Sequence, residues 1–363
     1  MTLAGERILE QLPAVNDPAE ADDDRDLLRL AIRGAGRRAR VDGASFILDA
    51  PAEVVPVWGE DDNVLWASGE PALINGPTGV GKTTLAQQVV LGRLGLRCEV
   101  LGYPVAPDDR RVLYLACDRP AQAARSMARM VGEEDREVLA ERLVVWRGPL
   151  PGDIVKKPAL LATLADDTGA GTVVVDSLKD VAPRLSEDET GQRVNEAFQL
   201  LVAEGVQALG LHHQRKAQAG GGKPKALADV YGSTWITAGM GSVMVLWGEA
   251  GDAIVELSHL KQPVETVGPL MVVHDHRAGS TTVQAGVDLY ELVRVSNGLT
   301  PTKAAEALFS TLKPAPNEVE KARRRLDALV RKGLVHRVDH GPAQAGGPKR
   351  VLYYLTSLLD EAS

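Results

Sequence analysis

The segment Gly76-Pro77-Thr78-Gly79-Val80-Gly81-Lys82-Thr83 constrains this chain more than any other feature in it. It fits G-x-x-x-x-G-K-[ST] and lies between the apolar run Ala72-Leu73-Ile74 and the helix-forming stretch Thr84–Leu94, the strand–loop–helix setting that the pattern requires. Glycines let a backbone close around phosphate groups with its N–H groups pointing inward, and the following helix adds the positive end of its dipole. Gly76, Pro77, Thr78, Gly79, Val80, Gly81, Lys82, Thr83 and Thr84 are therefore expected to hold ATP. Lys82 neutralises β/γ-phosphate charge, and the Thr83 hydroxyl takes Mg²⁺.

A loop of this kind needs a second anchor for Mg²⁺ at the end of a neighbouring strand. Asp176 has that form, because the β-branched run Thr172-Val173-Val174-Val175 leads directly to it. The competing reading is a helix N-cap at Asp176 or Ser177. Hydrolysis also needs a group that orients or deprotonates water. Asp118 follows the strand-like Val112–Ala116 and is the candidate, with an N-cap for the helix after Pro120 as the alternative. The run Val206–Leu211 ends in His212-His213-Gln214-Arg215-Lys216. A polar group there can sense the γ-phosphate, and His213 is favoured over His212 and Gln214.

Around these motifs, short apolar runs alternate with helical stretches: Val112–Ala116, Leu143–Trp146, Thr172–Val175, Val206–Leu211 and Ser242–Leu246. Such runs are the mark of strands buried on both faces, which predicts an α/β core with a mainly parallel sheet. Residues 1–55 read as an extension, acidic over Asp17–Asp26, apolar over Leu27–Ile32 and basic over Arg33–Arg40. The core is expected over 56–280. Residues 286–363 read as a separate module of three helices and two strands, with Asn317 as N-cap of the longest helix.

The net charge of −8 excludes a polycation that coats nucleic acid indiscriminately, but not a local basic face. Cys98 and Cys117 show no metal-binding spacing and read as small buried hydrophobes. No apolar run approaches a membrane span and no signal peptide opens the chain, so no membrane partner and a cytoplasmic protein are expected.

Taken in order, the glycine loop, Asp118, Asp176, the His-His-Gln-Arg-Lys segment and Tyr231–Ala238 resemble the RecA-like hexameric ATPases. They are most similar to plasmid RepA-type and phage replicative helicases, over about Val57–Arg277. The resemblance implies a RecA-like fold, a homo-hexameric ring and DNA in a central channel. It also implies a basic finger from one subunit on its neighbour's ATP. Asp118 stands where the family usually has Glu. The finger's Lys-x-Arg is reduced to Lys261, with Pro263 in the arginine's place. The loop after the sensor strand would contact single-stranded DNA through Lys216, Lys223 and Lys225, although a solvated loop has a similar composition.

The C-terminal module resembles a winged helix-turn-helix and carries twelve basic against nine acidic residues over 288–363. Arg323, Arg324 and Arg325 are its candidates for duplex DNA, with protein contact as the alternative use. The expected function is an ATP-dependent, DNA-stimulated translocase or helicase-like motor. The alternatives are an ATP-switched DNA-binding factor with little turnover, or a recombinase-like filament protein.

Overall fold

A computed structural model of the chain describes residues 41–51, 53–214, 223–284, 289–296, 298–309, 311–340 and 350–356. The charged blocks and the apolar stretch expected before residue 41 lie outside them, as does Lys216.

The short helix α1 (Gly43–Leu48) leads to a hairpin of β1 (Pro56–Glu60) and β2 (Asn63–Ala67). Next come β3 (Ala72–Gly76), α2 (Lys82–Arg93) and a small ladder of β4 (Glu99–Val100) with β5 (Tyr103–Pro104). There follow β6 (Arg111–Ala116), α3 (Pro120–Met127), α4 (Arg136–Arg142), β7 (Leu143–Arg147), α5 (Leu160–Thr168) and β8 (Ala170–Asp176). The remainder of the core is α6 (Leu178–Val181), α7 (Asp188–Ala203), β9 (Gln207–His213), α8 (Thr234–Ala238), β10 (Ser242–Trp247), β11 (Ile254–Lys261), β12 (Leu270–Asp275) and β13 (Ser280–Val283).

Nine strands form one sheet in the order β13-β12-β11-β10-β3-β9-β8-β6-β7. The six from β10 to β7 are parallel, and β11 returns antiparallel to β10. Strand β3 is buried along its whole length, as the apolar run before the glycine loop requires. On one face Leu73, Leu113, Val173 and Val175 pack with Leu161 and Leu164 of α5 and Val194, Phe198 and Leu201 of α7. Each such large side chain removed from water contributes about 1.5–3 kcal/mol. The strands β11–β13 beyond β10 were not expected, and β13 runs past residue 280, where the core was expected to end. Strand β9 runs on through His213, so both histidines belong to it. Cys117 is buried as expected, whereas Cys98 is exposed. Among the described residues no helix is long and apolar enough to cross a membrane.

Two compact units result. One runs to Pro269 and includes His274–Thr281, and the other comprises Leu270–Val273 and the chain from Thr282. In the second, α9 (Leu289–Val295), α10 (Pro301–Leu308) and α11 (Pro316–Arg331) precede an antiparallel pair, β14 (Val335–His340) and β15 (Arg350–Leu355). Ala304, Ala322, Leu326, Val335 and Tyr353 form its small core. Helix α11 does not start at an Asn317 cap. Ala315 is the N-cap, its N–H donating to Glu318 at 2.7 Å, and Pro316 opens the helix. Proline fits the first helical position because it has no N–H to leave unsatisfied there, which moves the start ahead of Asn317.

Candidate active site

The loop after β3 turns in conformations that side chains disfavour. Gly79 and Gly81 have φ of +85° and +90°, and a Cβ on Gly81 would stand 2.2 Å from Cε1 of His274. Gly81 is the N-cap of α2, so the first helical N–H groups face the loop's hollow. The Lys82 side chain is buried, and its Nζ donates to the carbonyls of Gly76 at 2.7 Å and Pro77 at 2.6 Å. Burial pulls its pKa down to about 8; Asp176 opposes that shift and Lys179 adds to it. An ammonium whose hydrogen bonds go to two neutral carbonyls fits an anionic phosphate, to which it can make stronger charge-assisted bonds. Only the protonated form neutralises phosphate, so ATP affinity is expected to weaken as pH rises through about 8. Calorimetric titration across that range checks this; constant affinity would contradict it.

Asp176 closes β8, and its Oδ2 accepts from the Thr83 hydroxyl at 3.0 Å and from the Tyr114 hydroxyl at 2.6 Å. Burial raises its pKa, while Tyr114, Thr83 and Lys82 act against the rise. Hard divalent cations take oxygen ligands. A hydroxyl and a carboxylate already in contact beside the phosphate loop fit Mg²⁺. The cap belongs to Ser177, whose Oγ donates to Asp180 at 2.7 Å, and not to Asp176.

Ala116 pairs with Asp176 in the sheet, so Asp118 emerges from the neighbouring strand on the same edge. Its Oδ2 lies 3.1 Å from Lys179 and 3.5 Å from Arg119. Partial burial pushes its pKa up, but Lys179, Arg119 and His213 prevail and hold it below the usual carboxylate range. Asp118 is not a helix cap: α3 begins after Arg119 with no side-chain cap bond.

The three sensor candidates separate. His213 sits with Nδ1 3.4 Å from the Thr78 hydroxyl, and burial with Lys82 and Lys179 keeps its imidazole neutral, pKa about 4. His212 is buried against Tyr231, Nε2 lying 2.5 Å from that residue's carbonyl oxygen. Gln214 braces the backbone: its Oε1 accepts from Asn75 and Tyr231, and its Nε2 donates to the Asp229 carbonyl.

A cavity of about 930 Å³ lies beside the loop. Thr78, Gly79, Gly81, Lys82, Thr83, Thr84, Asp118, Asp176 and His213 line it. Two further walls carry no motif in the sequence. One is α3 and its flanks, with Arg119, Gln122, Arg125 and Arg129; the other is the tip between β12 and β13, with His274, Asp275 and His276. His274 places Nε2 3.1 Å from the Val80 carbonyl oxygen, and its ring stacks near His276. Arg129 donates to the His276 carbonyl at 2.7 Å. The available signals were His274 and His276 two residues apart at a strand end, and a tyrosine hydroxyl, Tyr114, in an otherwise apolar strand.

The remaining candidates lie elsewhere. Lys261 pairs with Val243 near the start of β10, whose Ser242 aligns with Ala72 at the start of β3. It therefore occupies the sheet edge opposite the phosphate loop, donating to the Ala238 carbonyl at 2.8 Å. Lys223 is ion-paired with Glu256, and Lys225 gives its backbone N–H to Asp229. On α11, Arg323 binds Glu320 at 2.6 Å and Asp327 at 3.1 Å, and Arg324 binds Glu320 at 3.3 Å. Arg325 lies on the same helix.

A parallel sheet whose central strand feeds a glycine loop, with one acid closing β8 and another just past the end of β6, is the architecture of a RecA-like P-loop core. Residues 45–219 match the model of an AAA domain family. Among solved structures, the chain is similar to a KaiC-like protein of the hyperthermophilic archaeon Pyrococcus horikoshii. Identity is 16% and the TM-score 0.44, over 64% of this chain and 100% of that one. No curated protein matches the chain in sequence.

Proposed function

We propose that this chain hydrolyses ATP within a ring of identical subunits and uses the cycle to move along DNA. The observation that carries the reading is the pair of acids leaving adjacent parallel strands on one edge. Asp176 is held by Thr83, and Asp118 opens onto the cavity beside His213. Lys82 and the loop N–H groups hold the phosphates, Asp118 orients the attacking water, and His213 registers the γ-phosphate. Thr83 and Asp176 hold Mg²⁺, which when bound supplies a Lewis acid at the phosphate oxygens. Lys261 stands far from its own subunit's loop, which suits a finger directed at a neighbouring copy.

Lys216, Lys223 and Lys225 carry the single strand, in a segment that starts where His213 and Gln214 end. Neutralising all three is expected to abolish the increment in ATPase rate that single-stranded DNA produces. An unchanged increment would remove DNA translocation from the reading. A second reading, an ATP-switched DNA-binding factor with little turnover, is favoured by Asp118 in place of a longer Glu and by Pro263 in the finger. Its duplex contact would be the winged-helix module. The acids paired to Arg323 and Arg324 lessen the charge that α11 can offer to phosphates.

A further inference from the structure

Lys179 belongs to none of the motifs above, yet its ammonium is among the nearest charges to Asp118. It is placed by the same strand that places Asp176. Strand β8 ends, Ser177 and Asp180 cap the next turn reciprocally, and Lys179 projects from that turn to Asp118 Oδ2 at 3.1 Å. Arg119 approaches the same oxygen at 3.5 Å, so both cations gather on one side of the carboxylate.

We infer that Lys179 is a positioning residue for the water-orienting carboxylate: by holding Oδ2 it fixes the Asp118 side chain with its other oxygen free to meet water in the cavity. The inference rests on the reading of Asp118 given above. Two observations carry it. Asp118 has a short side chain that Lys179 at 3.1 Å and Arg119 at 3.5 Å both hold by the same oxygen, so its reach depends on how its carboxyl is turned. A lysine beside Lys82 and Arg119 also crowds cations around two acids, an arrangement that only an anionic ligand or a paired carboxylate makes favourable. In keeping with that crowding, Lys179 acts on the charge states of Lys82, Asp118 and His213 alike. Lys179 and Asp118 are partly exposed, at 42% and 31%. An ion pair so placed adds little to stability, and its use is better sought in orientation.

The test compares Lys179→Met, Lys179→Arg, Asp118→Asn and the double variant Lys179→Met/Asp118→Asn in single-turnover hydrolysis. ATP affinity by calorimetry and the melting temperature are measured on the same samples. Lys179→Met is expected to slow hydrolysis about tenfold to a hundredfold, the scale of a misplaced catalytic group. Affinity and melting temperature should hold, and Lys179→Arg should restore most of the rate. In the double variant the Lys179 change should add no loss to that of Asp118→Asn, because nothing is left to position. A native rate in Lys179→Met alone, or a double variant slowed by the product of the two single effects, would overturn the inference and leave the role of Asp118 standing. A native rate in Asp118→Asn would overturn both.

Discussion

Replacing Lys82 with alanine is expected to abolish productive turnover while leaving the unliganded fold at least as stable as the native one. In the proposed reaction its charge neutralises the transferred phosphate, and loss of one such preorganised donor costs about 10²–10³-fold in rate. The opposite sign for stability follows from burial. Lys82 is held from its ordinary value of 10.5 down to about 8 in the folded chain, which corresponds to on the order of 3 kcal/mol against folding with the charge in place. Below about pH 8 the lysine is protonated folded and unfolded alike, and that penalty is present in full. Above it, up to the unfolded value, the unfolded chain binds the extra proton and stability rises with pH. Alanine removes both the penalty and its pH dependence. Melting curves with and without ATP check this: the native chain should gain from ATP and the variant should not. A variant that melts well below the native apo protein, or one with native ATPase, would contradict the account.

The second large effect lies at the other end of the phosphate-loop helix. Arg93 in the last turn of α2 reaches Asp108 at 2.8 Å and the Thr172 hydroxyl at 3.0 Å, and it also donates to the Ala106 carbonyl. Thr172 in turn donates to Asp108 at 2.8 Å. Arg93, Asp108 and Thr172 are all buried. Burial pushes the Asp108 pKa up, but Thr172, the Arg110 N–H and Arg93 together hold it below its ordinary value. Arg93→Leu leaves that carboxylate with only the more distant and half-exposed Arg110 at 3.8 Å, and breaking one side of a buried pair costs about 3–5 kcal/mol. The urea midpoint should fall accordingly. Arg93→Leu/Asp108→Leu should recover part of the loss, since removing both charges removes the stranded one. A single variant as stable as the native chain would mean that water reaches Asp108.

Much of the geometry of the candidate phosphate site was legible because the chemistry proposed for it leaves few residue choices. A backbone that folds around phosphate needs glycine at Gly79 and Gly81, a buried strand shows as Thr172–Val175, and the acid that closes it must be Asp176. The rest depends on pairs distant in sequence. Nothing in the local pattern links His274 to Gly81 or Lys179 to Asp118, which are far apart in the sequence. The arginines of α11 are a different case. Glu320, Arg323, Arg324 and Asp327 stand three and four residues apart, a spacing that brings side chains together on a helix. Their mutual neutralisation was therefore legible, but a count of basic residues concealed it.

The two sides of the nucleotide cavity differ in how they are anchored. Strand β3 lies between β10 and β9 and is buried throughout, and α2 is buried along nearly all its length. Helix α3, which forms the facing wall, buries only Ser126 among its residues. A segment with few buried contacts opens at low free-energy cost, whereas one at the centre of a sheet opens only when much of the domain does. On the proposed function, nucleotide would enter and leave by brief fraying of α3 while the loop that seats the phosphates keeps its shape. The proposed cycle would then leave undisturbed the part of the molecule on which its folding depends.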